Sequence, residues 1–310
     1  MPEHHTWLSL LERRLATLAK TTRAEWGIYV RFLANGEEIA IGAERPHDTM
    51  STIKIPILVA LMRAVEAGKA DLSERVTLTQ DDKRLGTGVL LLFDEGATFT
   101  VRDAAWLMTV ISDNTATDIC LRAAGGIEAV NETMKSLGLD DIRMTGDALS
   151  WFQALAGSMD PDASDIAPGD LVRNGYRYKE PGAFADARRK FHFEIDNPFS
   201  LATPRAMGEL MAQINDGRCA SAETCSQIME FLRGQQLRER VPKYSWGTKG
   251  AHKTGSYMPF IANDIGLFTP AAGTPVIISI MAQKHDGDPA MIDDCIARMG
   301  EAILHAAEAR

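Results

Sequence analysis

Hydrophobic positions near the N-terminus recur first at helical and then at strand spacing. An amphipathic helix is predicted because five apolar residues share one of its sides: Trp7, Leu8, Leu11, Leu15 and Leu18. Residues 26–33 are typical of a strand, Asn35-Gly36 is a hairpin-turn pair, and residues 37–42 predict the returning strand. The chain therefore opens with a helix and a two-stranded hairpin.

A long apolar segment, STIKIPILVALMRAVEAG, begins at Ser51 and ends at Gly68. It is apolar nearly all round, which predicts a buried helix. Residues 71–135 predict helices and no strand, most clearly over 101–111 and 115–124. The later segments predict helices over about 203–214 and 221–233, strands over 253–257, 264–268 and 276–281, and a closing helix over about 289–308.

Residues 147–198 differ from their neighbours in composition. They are rich in Asp, Gly and Pro, then become basic, and their periodicity is weak. A loop of this length is unusual in a compact domain, so we expect it to be functional, as a lid or as a wall of a site.

The order of these elements predicts an α+β fold. Both chain ends would pair into one antiparallel sheet of about five strands flanked by helices, with an all-α domain inserted between them. The predicted sheet domain covers residues 1–50 and 235–310, and the predicted helical domain covers residues 51–234.

Composition and charge exclude several classes of partner. The chain has 310 residues, of which 45% are hydrophobic, and its net charge is -9. This acidic balance argues against nucleic acid and against an anionic membrane surface, which leaves a small molecule as the expected partner. No segment is long and apolar enough to span a bilayer. The N-terminus lacks the pattern of a secretion signal, so we expect a cytoplasmic protein, or a periplasmic one if a leader has been removed.

The four cysteines do not suggest a metal site. They form no C-x-x-C pair, and none has a histidine at metal-ligand spacing. Cys219 and Cys225 could bridge across a helix start, whereas a reducing compartment would keep all four as thiols. The chain also lacks H-E-x-x-H, a phosphate-binding glycine loop and a dinucleotide fingerprint, so neither a metal nor a cofactor is expected.

The candidate chemistry begins with Ser51-Thr52-Ile53-Lys54 at the start of the buried helix. A serine hydroxyl needs a neighbouring base to become a nucleophile, and residues three apart on a helix share one face. The apolar run IPILVAL after Lys54 predicts a buried amine, whose pKa falls towards neutrality. Free amides at the helix start favour negative charge, so the Ser51 N–H and one from a later strand could form an oxyanion hole.

Two further motifs follow in order, Ser112-Asp113-Asn114 and Lys253-Thr254-Gly255. The first lies between two apolar helices, where a polar triplet either lines a cavity or caps a helix. In the first case Ser112 would relay a proton and Asn114 would hold the acyl amide of a substrate. Lys253 would supply positive charge close to Ser112, and Gly255 would let a ligand approach the strand backbone.

Each motif alone has an ordinary explanation, such as a helix cap or a surface lysine. The three together, in this order, are typical of serine acyl-transfer enzymes. Over residues 26–146 and 199–310 the chain resembles the class A β-lactamase-related serine hydrolases, within the larger group of penicillin-binding proteins. The resemblance implies an acyl-enzyme on Ser51 without a metal, with Lys54 as the partner of the nucleophile. It also implies that Lys253, Thr254 and Ser256 line the site, with Ser256 contacting a substrate carboxylate or carbonyl.

The chain departs from that family in the region that deacylates the enzyme. The family carries E-x-x-L-N in a short loop, and its glutamate activates the deacylating water. The candidates here are Glu194, in Glu194-Ile195-Asp196-Asn197, and Glu180, which lies further upstream. A third interpretation is that the chain has no equivalent.

Two other departures concern substrate binding. No arginine lies between Arg240 and Arg298, so the last strands supply none for a β-lactam carboxylate, and Arg240 or Lys243 would have to reach it. Residues 86–89 (GTGV) stand where relatives place a bulky gatekeeper, which favours a more open mouth.

We therefore predict a serine hydrolase that acts on an amide, lactam or ester carbonyl. A β-lactamase is the narrowest hypothesis, beside a cytoplasmic amidase or esterase and a penicillin-binding-type peptidase with little β-lactam turnover. A non-catalytic binding protein on the same fold is the alternative of another class. Against it, Ser51, Lys54, Ser112 and Lys253 are all present.

Overall fold

Both ends of the chain fold together in this computed structural model, which describes residues 4–159, 167, 169–170, 181–195 and 198–309. Met1–Thr52 and Leu201–Arg310 form one unit, here called the sheet unit, and Ile53–Ser200 form the other, the helical unit. In chain order the elements are α1 (His4–Ala19), β1 (Glu25–Phe32), β2 (Glu38–Ile41), β3 (His47–Asp48), α2 (Lys54–Glu66), β4 (Arg75–Thr77), β5 (Thr98–Thr100), α3 (Val101–Val110), α4 (Asn114–Ala123), α5 (Gly126–Ser136), β6 (Arg143–Met144), α6 (Ala148–Met159), α7 (Pro181–Lys190), β7 (Ser200–Ala202), α8 (Pro204–Asn215), α9 (Ala222–Arg233), β8 (Lys249–Tyr257), β9 (Ile261–Thr269), β10 (Val276–Gln283) and α10 (Pro289–Glu308).

The sheet unit is built on five antiparallel strands in the order β2-β1-β10-β9-β8. The N-terminal hairpin joins the C-terminal strands through β1 and β10, where Ile28 lies opposite Ile280. This confirms the predicted α+β fold class and the sheet formed from both chain ends. Strand β8 lies at the edge, so one row of its backbone N–H and C=O groups faces no neighbouring strand of this sheet.

Helices cover both faces of this sheet. On one face, alternate residues of β1, among them Ile28 and Val30, share an apolar core with residues of α1 and α10. On the other face α8 packs against β1 and β10, and a side chain at Gly208 would collide with the ring of Tyr29. Because successive side chains of β1 point to opposite faces of the sheet, alternate residues of the strand face different helices.

The helical unit is organised around α2. Its residues from Lys54 to Met62 are all buried, as the apolar sequence predicts, and α2 packs against α3, α4 and α5. Helix α3 begins with a capping box formed by Thr100 and Asp103. Among the described residues of both units, no helix is long and apolar enough to cross a membrane.

The structure corrects the prediction for residues 147–198. Where a loop was predicted, the described residues of this segment include α6 and α7, followed by a π-helical turn at Phe191–Ile195. Helix α6 forms because Trp151 packs edge-on against Phe191 and Phe199, at centroid distances of 5.6 and 6.4 Å. Because these partners lie some 40 residues away in the sequence, the local hydrophobic pattern does not predict the helix.

Two smaller differences concern the sequence from 71 to 135 and the domain limits. Strands β4 and β5 pair antiparallel where only helices were predicted. Each strand is three residues long, which is too short for an alternating pattern to be recognised in the sequence. The predicted boundaries at 50 and 234 differ from the observed units, since α8 and α9 belong to the sheet unit. Their apolar faces pack against β1, β8 and β10, which places them with the sheet.

The two cysteines that could bridge remain thiols. The Sγ atoms of Cys219 and Cys225 lie 3.3 Å apart at the start of α9, and both side chains are buried.

Candidate active site

Ser51 lies in a 3₁₀ turn, Met50–Ile53, that continues directly into α2. The chain just before it has a left-handed residue, Met50, with φ of 45°. The side-chain amide of Asn263 on β9 holds this segment by donating to the carbonyls of Asp48 and Thr49, at 2.8 and 3.0 Å. The sheet thus determines where the serine turn begins, and the turn places Ser51 at a helix start.

Gly255 of β8 packs against the same turn. A Cβ atom at this position would lie 2.5 Å from Thr49 O, 3.0 Å from Thr52 N and 3.1 Å from Ser51 N. Only glycine allows this backbone-to-backbone approach. We expected the glycine to admit a ligand, but the neighbour it admits here is the turn that carries Ser51.

Two buried basic side chains, Lys253 and Arg240, donate hydrogen bonds to this part of β8. Lys253 is fully buried, and its Nζ donates to Thr254 O at 2.7 Å. Arg240 is also buried, and its guanidinium donates to Gly255 O at 2.9 Å and to Ser256 Oγ at 2.6 Å. A salt bridge of 2.8 Å to Asp293 holds the same guanidinium.

Of the two basic residues proposed to replace a strand arginine, only one contacts β8. Arg240 donates to Ser256, the exposed residue that follows the Lys253-Thr254-Gly255 motif. Lys243 instead lies 3.7 Å from Asp294, and its ammonium sits over the ring of Tyr244. Among the described residues of the sheet unit, Arg240 is therefore the cation that is hydrogen-bonded to Ser256.

In the helical unit the structure brings together three predicted site residues. Nζ of Lys54 lies 2.7 Å from Ser112 O, 2.9 Å from Ser112 Oγ and 2.9 Å from Asn114 Oδ1. The lysine side chain is fully buried, with 0% exposure. An ammonium can donate to all three acceptors, whereas a neutral amine can donate to two and accept from the Ser112 hydroxyl.

Burial lowers the pKa of Lys54 to about 7, although the charges of Asp113 and Asp118 oppose the shift. Near neutral pH the amine is therefore close to equally divided between its charged and neutral forms. A group in this state can take a proton and return it, which is what a general base and acid must do.

The Ser112-Asp113-Asn114 triplet forms a strained turn ahead of α4. Ser112 has φ of 62°, a conformation that costs a residue with a side chain about 1–2 kcal/mol. Asp113 is the N-cap of α4, accepting from Ala116 N at 2.9 Å, and its other oxygen accepts from Val89 N and Leu90 N. The helix-capping interpretation is thus confirmed, and the relay role of Ser112 stays a prediction.

Glu194, the first candidate for a deacylating base, has an exposed side chain in the π-helical turn. Within the described part of the chain, no hydrogen bond or ion pair links it to Lys54 or Ser112. Glu180 lies outside the described residues. The assignment of Glu194 therefore stays a prediction without a supporting contact.

The start of α6 lies beside the triplet instead. A Cβ atom at Gly86 would be 2.6 Å from Asn114 Nδ2 and 2.9 Å from Phe152 Cζ, so the aromatic ring is a close neighbour of the asparagine. Asp118 of α4 also accepts from Ala148 N, at 3.1 Å. The side chain that α6 places there is apolar, not a carboxylate.

Sequence reasoning missed Asp118 and its partner Arg84. Arg84 Nε donates to Asp118 Oδ2 at 2.6 Å, and both side chains are almost fully buried. Burial raises the pKa of Asp118, while the Arg84 charge opposes this. A charged residue within the apolar stretch TATDICL was the available signal, because a buried carboxylate needs a partner.

The burial of Lys54 predicts a distinctive pH dependence of stability. Above pH 7 the folded chain has lost the Lys54 proton, while the unfolded chain, with a pKa of 10.5, still binds it. Stability therefore rises with pH in this window. Relative to Lys54→Met, the wild type should gain about 2–3 kcal/mol of unfolding free energy from pH 7.5 to 9.5. Urea unfolding of both proteins at both pH values measures this gain, and parallel pH dependences would contradict it.

The chain is similar to known β-lactamases over nearly its whole length. A family model described as the beta-lactamase enzyme family matches residues 10–307. A curated relative, the β-lactamase of Streptomyces albus G, is 24% identical over 292 residues, covering 92% of this chain and 81% of that protein. The solved β-lactamase of Sphaerobacter thermophilus DSM 20745 is 26% identical with a TM-score of 0.76, covering 97% of this chain and 98% of that one. A mutant of PBP-A in an acyl-enzyme complex with penicillin G has a TM-score of 0.76 at 22% identity, covering 98% of both chains.

Proposed function

Because the chain belongs to the beta-lactamase enzyme family, we propose that this serine hydrolase opens the amide bond of a β-lactam through an acyl-enzyme on Ser51. The observation that carries the assignment of residues is the buried amine of Lys54, within hydrogen-bond distance of Ser112 Oγ and Asn114 Oδ1. Burial lowers its pKa to about 7, which suits a base at neutral pH.

In acylation, neutral Lys54 takes the proton of the Ser51 hydroxyl as its oxygen bonds to the substrate carbonyl carbon. The negative charge that develops on the carbonyl oxygen is met by the Ser51 N–H and by an N–H of edge strand β8. When the C–N bond breaks, the proton on Lys54 passes through Ser112 Oγ, 2.9 Å away, to the departing nitrogen. In this proposal Lys253 supplies the positive charge that stabilises the negative charge of these steps.

Substrate binding follows from hydrogen-bonding groups that are only partly used. Asn114 Nδ2 donates one hydrogen to Leu85 O, at 2.8 Å, and has a second for the acyl carbonyl of a substrate. Ser256 and Arg240 would hold a carboxylate, with Thr254 on the same strand. Because Arg240 already forms a salt bridge with Asp293, a substrate carboxylate would have to share the guanidinium with the carboxylate of Asp293.

Deacylation distinguishes the β-lactamase from its main alternative. A penicillin-binding-type enzyme with slow turnover is favoured by the apolar ring of Phe152 beside Asn114 and by the exposed position of Glu194. A mutant of PBP-A, which shares the fold, was solved as an acyl-enzyme with penicillin G. If Lys54 alone activates the water, hydrolysis of the acyl-enzyme should be the slower half of the cycle.

One experiment separates these functions. The wild type is incubated with nitrocefin, penicillin G and p-nitrophenyl acetate, while absorbance and intact mass are followed in parallel. Turnover of nitrocefin and penicillin G without a lasting adduct supports a β-lactamase. A lasting adduct supports the penicillin-binding alternative, and turnover of the ester alone supports an esterase. Neither adduct nor turnover with any probe would overturn the proposal and favour a non-catalytic binding protein.

A further inference from the structure

We propose that Thr87 is a positioning residue for this proton transfer, holding the Ser112 backbone so that Ser112 Oγ stays beside Lys54 Nζ. The proposal rests on the proposed function, since it concerns the proton path of acylation. Thr87 itself needs no contact with substrate or with the reacting atoms.

Thr87 brackets Ser112 from both sides. Its hydroxyl donates to Ser112 O at 2.7 Å, and its own carbonyl accepts from Asn114 N at 2.9 Å. Ser112 between these two anchors has the left-handed φ of 62°. A residue in that conformation persists only when its surroundings hold it there, and the two Thr87 bonds are restraints of this kind.

Two glycines bring Thr87 into this place. Gly86 and Gly88 have φ of 91° and 126°, which residues with side chains rarely adopt. A Cβ at Gly86 would press on Asn114 Nδ2, and one at Gly88 would collide with Asp113. The backbone of residues 86–88 therefore lies directly on the triplet, and Thr87 supplies its only side chain.

The hydroxyl matters because Ser112 O has two lone pairs and two donors. Lys54 Nζ uses one, at 2.7 Å, and Thr87 Oγ1 uses the other. Without the hydroxyl, the strained turn loses a restraint, and Ser112 Oγ can leave the 2.9 Å position from which it exchanges a proton with Lys54. Displacements of about 1 Å in such arrangements cost on the order of 100-fold in rate.

The same loss changes the environment of Lys54. Ser112 O would then accept from the lysine alone, which favours the charged amine and moves its titration to higher pH. The other charges acting on Lys54 come from Asp113, the N-cap residue of α4, and from Asp118 and Cys120 within that helix, and a substitution at Thr87 removes none of them.

The test uses Thr87→Val, which keeps the shape and removes the hydroxyl, and Thr87→Ser, which restores it. The matched control is Thr133→Val, because Thr133 Oγ1 also donates to a backbone carbonyl, Ala129 O at 2.7 Å, in the same unit. With nitrocefin, Thr87→Val should acylate about 10-fold to 100-fold more slowly, with substrate affinity unchanged and the pH midpoint raised. Thr87→Ser and Thr133→Val should behave as the wild type.

A second readout needs no substrate. The ¹³Cε signal of Lys54, assigned through its loss in Lys54→Met, should titrate at higher pH in Thr87→Val than in the wild type or in Thr133→Val. Wild-type rates and an unmoved titration in a folded Thr87→Val would overturn the positioning role while the proposed function stands. If the wild type fails to acylate, the proposed function fails, and the ¹³C titration alone decides whether Thr87 controls Lys54.

Discussion

Replacing Ser51 by alanine should abolish the covalent adduct and lower the hydrolysis of any accepted acyl substrate by at least ~10⁴-fold. The reason is chemical, since the substitution removes the hydroxyl that forms the ester with the substrate in the proposed reaction. Folding should be little affected, because the turn depends on Asn263 and Gly255, not on the Ser51 side chain. Intact-mass spectrometry and thermal unfolding measure the two effects separately.

Ser136→Ala is the matched control for this substitution. Ser136 also lies in a helix, where its hydroxyl donates to Thr133 O at 2.7 Å. It should acylate as the wild type does. If Ser51→Ala gained the same added mass from the substrate, at the same rate as the wild type, another side chain would be the nucleophile.

Replacing Lys54 by methionine should slow acylation by about 10³-fold and remove its dependence on pH around neutrality. In the wild type the rate should rise through an apparent pKa of about 7, because only the neutral amine can accept the serine proton. Below that pH the charged form predominates and the rate falls tenfold per unit. Rapid-mixing measurements of nitrocefin acylation from pH 5.5 to 8.5 give both profiles.

Lys135→Met provides the comparison for Lys54→Met. Lys135 is an exposed lysine in the last turn of α5, so its loss changes the net charge equally without touching the triplet. Its pH profile should match that of the wild type. If the rise near pH 7 persisted in Lys54→Met, the titrating base would have to be another group.

Local sequence determined much of the fold because local forces suffice there. The apolar run after Lys54 requires a buried helix whatever surrounds it, and Asn35-Gly36 suits a hairpin turn. The strand predicted at 253–257 is present as part of β8. Thr203 caps α8 with Pro204 next to it, as the residue pair predicts.

The candidate site was predicted less completely than the fold. Lys54, Ser112 and Asn114 were named from their motifs, and the structure brings these three together. Thr87 was named only as part of a gatekeeper loop, since its bond to Ser112 O spans 25 residues. Glu194 was chosen by its spacing from the next helix, and spacing does not report that its side chain is exposed.

By itself, then, the sequence determined most of the elements and the sheet from both chain ends, and it predicted the candidate reacting groups, because periodicity and motifs are properties of neighbouring residues. Only the tertiary structure decided how those groups are held. The left-handed turn at Ser112, the burial that lowers the pKa of Lys54 to about 7, and the reach of Arg240 to Ser256 all depend on distant contacts. The physical reason is that strain, desolvation and hydrogen-bond geometry arise between segments, and no single segment encodes them.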